Sequence, residues 1–233
     1  MKFKRLKLGK YFFDFVSVFF AVIAAFALEN WNDNRKDDLA EEKVLLEIKN
    51  GLELDLKDFK LNQRGHKRGL LSIAYFGDII REVSVSQDSI MYRYFYLTGD
   101  NISVVNSSGY ESLKSKGLEI IKNDSIRSQI ITIYENDYQS LDSFEESAPM
   151  YQSFQNYYLP ITNILSEYLV YNNKGSLIGI NTTLNLPVKE KNSLTGYLFN
   201  MRSSRRYKLE LYAEIEKKIN MLLLDIEKEL EDR

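Results

Sequence analysis

The stretch from Tyr11 to Leu28, YFFDFVSVFFAVIAAFAL, restricts this chain more than any other, because 16 of its 18 residues are apolar. Only Asp14 and Ser17 interrupt it. As a helix it extends about 27 Å, close to the roughly 30 Å hydrocarbon thickness of a bilayer. Trp31, the single tryptophan, follows where an aromatic belt residue sits at the membrane interface. Length, composition and flank together predict a transmembrane helix over residues 11–30. Ser17, Ala21 and Ala25 recur every four residues, a small-residue ridge that lets two such helices pack closely. Asp14, one turn inside the edge, has two readings. Ionisable groups in membranes are functional candidates, but Lys10 lies four residues earlier on the same face and offers a partner.

Charge sets the expected orientation. The first ten residues hold five of the 31 Lys and Arg and no acid, so the remainder carries 26 bases against 33 acids, a net −7. Residues 29–48 contain three bases (Arg35, Lys36 and Lys43) among seven acids. The positive-inside bias therefore places residues 1–10 in the cytoplasm as a basic tip and the body, residues 31–233, outside it. A competing reading is a cleaved signal peptide, since Ala25-Phe26-Ala27 forms an A-x-A site after a basic start. Both readings export the body.

The body reads as helical. Leu45, Ile48, Leu52, Leu56 and Phe59 repeat at three- and four-residue spacing, so the membrane helix is expected to continue as a stalk to a break near Gln63–His66. That makes some 50 residues, or about 75 Å. Asp88 and Ser89 are placed to cap a short helix from Ile90 to Leu97. Ser108 and Glu111 have capping-box spacing for a helix ending near Gly117, and Asp124 is the expected cap of the next. Pro149 and Pro160 are expected to kink or restart that helix. Residues 172–188 are the one turn-rich, β-like stretch, a hairpin or a long loop. Tyr212, Ile215, Ile219, Leu222 and Ile226 form a heptad-like seam on a long C-terminal helix.

Little in the composition suggests chemistry. With no cysteine there is no thiolate and no Cys-ligated metal, and one histidine, His66, excludes a multi-His zinc site. His66 is expected on an exposed loop. No phosphate loop, dinucleotide fingerprint or nucleophile elbow occurs. Arg202, Arg205, Arg206 and Lys208 read as a solvated basic face rather than an anion site, and an acidic exported body argues against nucleic acid. Tyr92, Tyr94 and Tyr96, with Tyr157 and Tyr158, are rim or core tyrosines or else the wall of a binding groove. Glu111 and Arg127 are similarly read as a helical corner or as part of a partner or ligand surface.

Asp14, the apolar span and Trp31-Asn32-Asp33-Asn34-Arg35-Lys36 resemble the start of an uncharacterised family of single-pass Bacteroidota membrane proteins. Asp14 stands for that family's Glu, and Ala21 for a mid-span Gly. Gly109 to Gly117, followed by Ile120-Ile121-Lys122-Asn123 and Ile126-Arg127, is similar to its aromatic-x-x-Leu-Lys-Ser-x-Gly block. The resemblance covers nearly the whole chain. It implies an anchored, mostly helical protein of a Gram-negative envelope and no activity, because the family is a domain of unknown function. Asp88-Ser89-Ile90 and Asp124-Ser125-Ile126 are similar to Bacteroidota O-glycan sites as well as to helix caps.

The expected fold is all-α: a membrane helix continuing into a stalk, an antiparallel helical bundle, and a small hairpin or loop at 172–188. The expected function is that of a non-enzymatic envelope protein acting by protein–protein contact or oligomerisation, with the body in the periplasm. The alternative is a periplasmic small-ligand sensor bundle that signals through a membrane partner. No cofactor, metal or nucleic acid is expected.

Overall fold

The computed structural model describes residues 8–147 and 154–232; the basic tip before Leu8 and Pro149 lie outside them. The chain is all-α apart from one hairpin. Helix α1 (Leu8–Ile80) is a single unbroken helix of 73 residues, about 110 Å long. Its first part is the one helix among the described residues that is long and apolar enough to cross a membrane, and none of that apolar window is buried within the chain. α2 (Ile90–Thr98) and α3 (Ser108–Lys116) follow. α4 (Asp124–Ile131) runs through π-helical turns, Thr132–Asp137, into α5 (Tyr138–Asp142). α6 (Leu159–Leu165) carries Pro160 in its first turn, where a missing N–H matters least. Strands β1 (Leu169–Tyr171) and β2 (Leu177–Ile180) make an antiparallel hairpin before α7 (Val188–Glu231), 44 residues long.

α7 packs antiparallel on α1, as the pairs Lys49–Glu227, Gln63–Glu216 and Glu82–Lys191 show along their length. Two apolar clusters lie along this axis. The one nearer the apolar span joins Val44, Ile48, Leu52 and Phe59 to Tyr212, Ile215, Ile219, Leu222 and Ile226, with α3 and α4 covering them. The farther one joins Ile73, Phe76 and Ile80 to Ile90, Leu97, Ile161, Leu165, Ile180, Leu194 and Met201. The C-terminal seam is therefore closed inside the chain, and its residues are unavailable to a partner.

The break expected at Gln63–His66 does not occur. Gly65 and Gly69 are helical, and their missing side chains make room for other groups: a Cβ would meet Asn101 Oδ1 at 2.0 Å and Arg205 Nη1 at 2.4 Å, respectively. Three expected caps are also displaced by one residue or are absent. Asn123, not Asp124, accepts from the backbone N–H groups of Ser125 and Ile126. Ser108 Oγ donates to Asn106 Oδ1 (2.7 Å) and the helix starts after Ser107, so no capping box forms. Asp88 and Ser89 lie in or beside a 3₁₀ turn with no side-chain cap. The hairpin begins three residues before the expected turn-rich stretch, because Leu169–Tyr171 supplies its first strand.

Gly109 marks a close approach of two helix backbones, since a Cβ there would lie 2.7 Å from the backbone N of Ile48. Gly109→Ala should destabilise the solubilised full chain by about 1–3 kcal/mol, because backbone on both sides leaves nothing free to move. Gly51→Ala should be neutral or gain up to about 1 kcal/mol, since its Cβ would sit at 3.4 Å and alanine is the better helix former. Denaturant unfolding followed by circular dichroism checks both.

Candidate functional site

Between the two apolar clusters lies a layer of buried charged and polar side chains, built around residues 99–107. This strap has no helix or strand, so its backbone groups need partners from elsewhere. α1 supplies three: Asp55 Oδ1 accepts from Asn106 N (2.7 Å), Asp58 Oδ2 from Val104 N (3.0 Å), and Asn62 Nδ2 donates to Ile102 O (3.2 Å). Glu145 Oε2 accepts from both the N and Oγ of Ser103 (2.8 and 2.6 Å). Arg205 Nη2 donates to the carbonyls of Tyr96, Leu97 and Gly99 (3.3, 3.3 and 2.5 Å), which puts a cation on the C-terminal end of α2. Lys208 pairs with Asp100 at 3.1 Å.

Burial dominates the electrostatics here. Asp55 is pushed up to about 6, although its bonds from the Tyr138 hydroxyl (2.5 Å) and Asn106 partly oppose the shift. Burial raises Glu145 too, against the Ser103 and Tyr212 bonds and the Lys208 charge. His66 is wholly enclosed and falls to about 3, first from burial and then from the Arg205 charge, despite Asp100 nearby. Its Nδ1 stands 3.5 Å from Arg205 Nη1, while its Nε2 has no hydrogen-bond partner. Burial also lowers Arg205 and raises Tyr138 and Tyr212, whose hydroxyls bond to Asp55 and Glu145.

Two sequence expectations fail in this layer. His66 is core rather than loop, and Arg205 and Lys208 are buried rather than part of a solvated basic face. The signal was phase: Asp55 falls in step with Leu52 and Phe59, and Arg205 and Lys208 with Met201 and Tyr212. A charge at a core phase means a buried partner, but the partners lie up to 139 residues away, as with Arg205 and His66.

The residues singled out from sequence separate into distinct places. Asp14, Ser17, Ala21 and Ala25 are exposed along α1, Ser17 Oγ bonding only back to Phe13 O (2.8 Å). The Lys10 side chain lies outside the described ones. Trp31 is exposed with the Arg35 guanidinium 5.9 Å from its ring centre. Tyr94 is buried with its hydroxyl 3.3 Å from Thr162 Oγ1, whereas Tyr92 and Tyr96 face outward 4.7 Å apart, Arg68 donating to the Tyr96 hydroxyl at 2.6 Å. The three are therefore not one surface.

Glu111 and Arg127 are not brought together either. Glu111 pairs with Lys114 at 2.8 Å and borders an open groove of about 540 Å³ with Tyr110, Tyr134 and Glu135. Arg127 donates to Ile121 O (2.7 Å) and pairs with Asp124 and Glu119, locking the corner between α3 and α4. Gly117 makes that corner with a φ of +99°, the left-handed region glycine favours. Within the Gly109–Arg127 block, Gly117 and Arg127 hold the corner, while Tyr110, Glu111 and Lys114 border the groove. Ser125 is exposed and Ser89 half-buried, each at a helix start.

Among the described residues no group of three His, Asp or Glu side chains is arranged to hold a metal ion. No protein-family model, no curated protein and no solved structure matches this chain. What the layer can do chemically is limited by its closure: Asp55, Tyr212 and His66 are sealed from solvent and engaged in holding the strap.

His66 and Asp55 act oppositely with pH. Folding withholds a proton from His66, so stability is lost as pH falls below about 6.5. The folded state keeps a proton on Asp55 up to about pH 6, so its contribution declines as pH rises from about 4 to 6. Asp55→Asn should therefore steepen the loss of stability between pH 6 and 4, and His66→Gln should flatten it, in denaturant midpoints measured across that range. Arg205→Ala should destabilise the chain by about 3–5 kcal/mol, because it leaves three carbonyls without their charged donor.

Proposed function

We propose that this chain is a non-enzymatic, single-pass membrane protein whose helical body stands in the periplasm and acts through contact with other proteins. The observation that carries the reading is the division of α1: residues 12–28, apolar except for Asp14 and Ser17, are turned outward on nearly all sides, while from Val44 onward one face is core. An apolar span with no internal partner, and a body whose buried charged groups mostly hold the strap rather than line a cleft, support this reading. The basic start and acidic body support a cytoplasmic N-terminus. The resemblance in Asp14–Lys36 and Gly109–Arg127 supports a Gram-negative inner membrane.

A sensor of small ligands remains the second reading. The groove beside Tyr110 and Tyr134 favours it, where Lys114 stands 5.0 Å over the Tyr110 ring and the two tyrosines stack at 4.6 Å.

Because the chain has no cysteine, Leu224→Cys is a single-site reporter of topology. A membrane-impermeant maleimide should label it once the outer membrane is permeabilised, with the inner membrane intact. Labelling only after the inner membrane is broken would reverse the orientation. Purification in mild detergent should bring down a second protein component, a further copy or another chain. A chain that is monomeric and alone in native membranes would remove the contact reading.

A further inference from the structure

At the end of α1 remote from the apolar span, two loops face each other across an open cavity of about 400 Å³. One joins α1 to α2 and the other joins β2 to α7, and a hydrogen bond from Gln87 Nε2 to Thr182 Oγ1 ties them together. Ile79 and Leu184, both buried, give the cavity an apolar floor. Ser84, Gln87, Thr182, Thr183 and Asn185 supply its rim. Among the described residues, the side chains of Ser84, Thr183 and Asn185 are exposed and bond to no other group of the chain.

Glu82, on the same rim, has a backbone that glycine adopts more freely. α1 ends in a Schellman turn, in which Glu82 N donates to Ile79 O (3.0 Å) and Val83 N to Asp78 O (2.9 Å). The turn holds Glu82 at a φ of +63°, and among the described residues it is the one non-glycine residue in the left-handed region. Glycine would close the same turn without strain. The Lys191 contact (2.7 Å) is an exposed ion pair of the kind that contributes little. Neither the turn nor the pair accounts for a glutamate here, and strain retained beside a cavity points to use of the side chain.

The lining sets the ligand class. One carboxylate already beside a lysine is too little for a metal cation, and the rim has no arginine or histidine to hold an anion. Hydroxyl and carboxamide groups both donate and accept, which matches a ligand bearing many hydroxyls. The floor of Ile79 and Leu184 suits the C–H face of a sugar ring, and the volume lies within the range of small-molecule sites.

We propose that this distal cavity binds a saccharide, with Glu82, Thr183 and Asn185 taking its hydroxyls. The Lys191 hydrogen bond holds the Glu82 carboxyl below its usual range, so it stays an ionised acceptor for sugar hydroxyls. The site belongs to the farther apolar cluster and is separate from the groove beside Tyr110, which belongs to the nearer one. A free sugar and a glycan chain share this chemistry, and the open side of the cavity admits either.

Saturation-transfer NMR on the full chain, in a detergent without a sugar headgroup, tests the assignment with glucose and N-acetylglucosamine oligomers of one to four units. Transfer to the sugar protons is expected. Thr183→Val and Asn185→Ala should each weaken binding about three- to tenfold, the loss of one hydrogen bond. Glu82→Gly should weaken binding while raising the denaturant midpoint, a combination that a merely structural glutamate would not give. Affinity that is flat with oligomer length identifies a free sugar, and affinity that climbs with length identifies a glycan chain. No transfer to any sugar, binding unchanged in all three variants, or transfer to a neutral tripeptide in place of the sugars would overturn the proposal.

Discussion

The antiparallel packing of α7 on α1 is the contact on which every other element depends. Helices in proteins draw most of their stability from packing one face rather than from propensity, and the shorter helices dock mainly on these two. α2 and α3 both dock on α1, α4 docks on α7, and the hairpin closes the far end against α2. Because α1 is one unbroken helix, this arrangement is continuous with the apolar span.

The middle of that contact is polar, which is costly unless every group is paired. The arrangement here makes sense as a solution for the strap. Residues 99–107 cross between the two long helices without secondary structure, and ordinary apolar packing would leave their backbone N–H and C=O groups unsatisfied. Asp55, Asp58, Asn62, Glu145 and Arg205 satisfy them with side chains, and Gly65 and Gly69 provide the space. The layer also separates the two apolar clusters, so sliding α7 along α1 would bury charge against leucine. Fixed register is a consequence of the same groups that hold the strap.

Much of the architecture was legible. The apolar span, the short helices near 90–98 and 108–116, the hairpin and the seam from Tyr212 to Ile226 follow from periodicity and turn residues, which are local. The failures share a cause. His66 beside Arg64, Lys67 and Arg68 looks like a solvated loop, and Gly65 and Gly69 look like helix breakers, because their partners Asn101 and Arg205 are remote in sequence. The tyrosines at 92, 94 and 96 likewise read as one cluster, although helical geometry turns Tyr94 inward and the other two outward.

By itself the sequence determined the long apolar helix, the helical class and the absence of cysteine, since length, apolar content and residue types are properties of the chain alone. The tertiary structure decided which charges are buried, why the glycines of α1 are there, and which apolar seam is closed within the chain. Those outcomes depend on which surfaces meet across 100 or more residues. The C-terminal seam and the α1 leucines Leu39, Leu46, Leu54 and Leu61 have similar spacing, and only packing tells that one is covered while the other still faces outward.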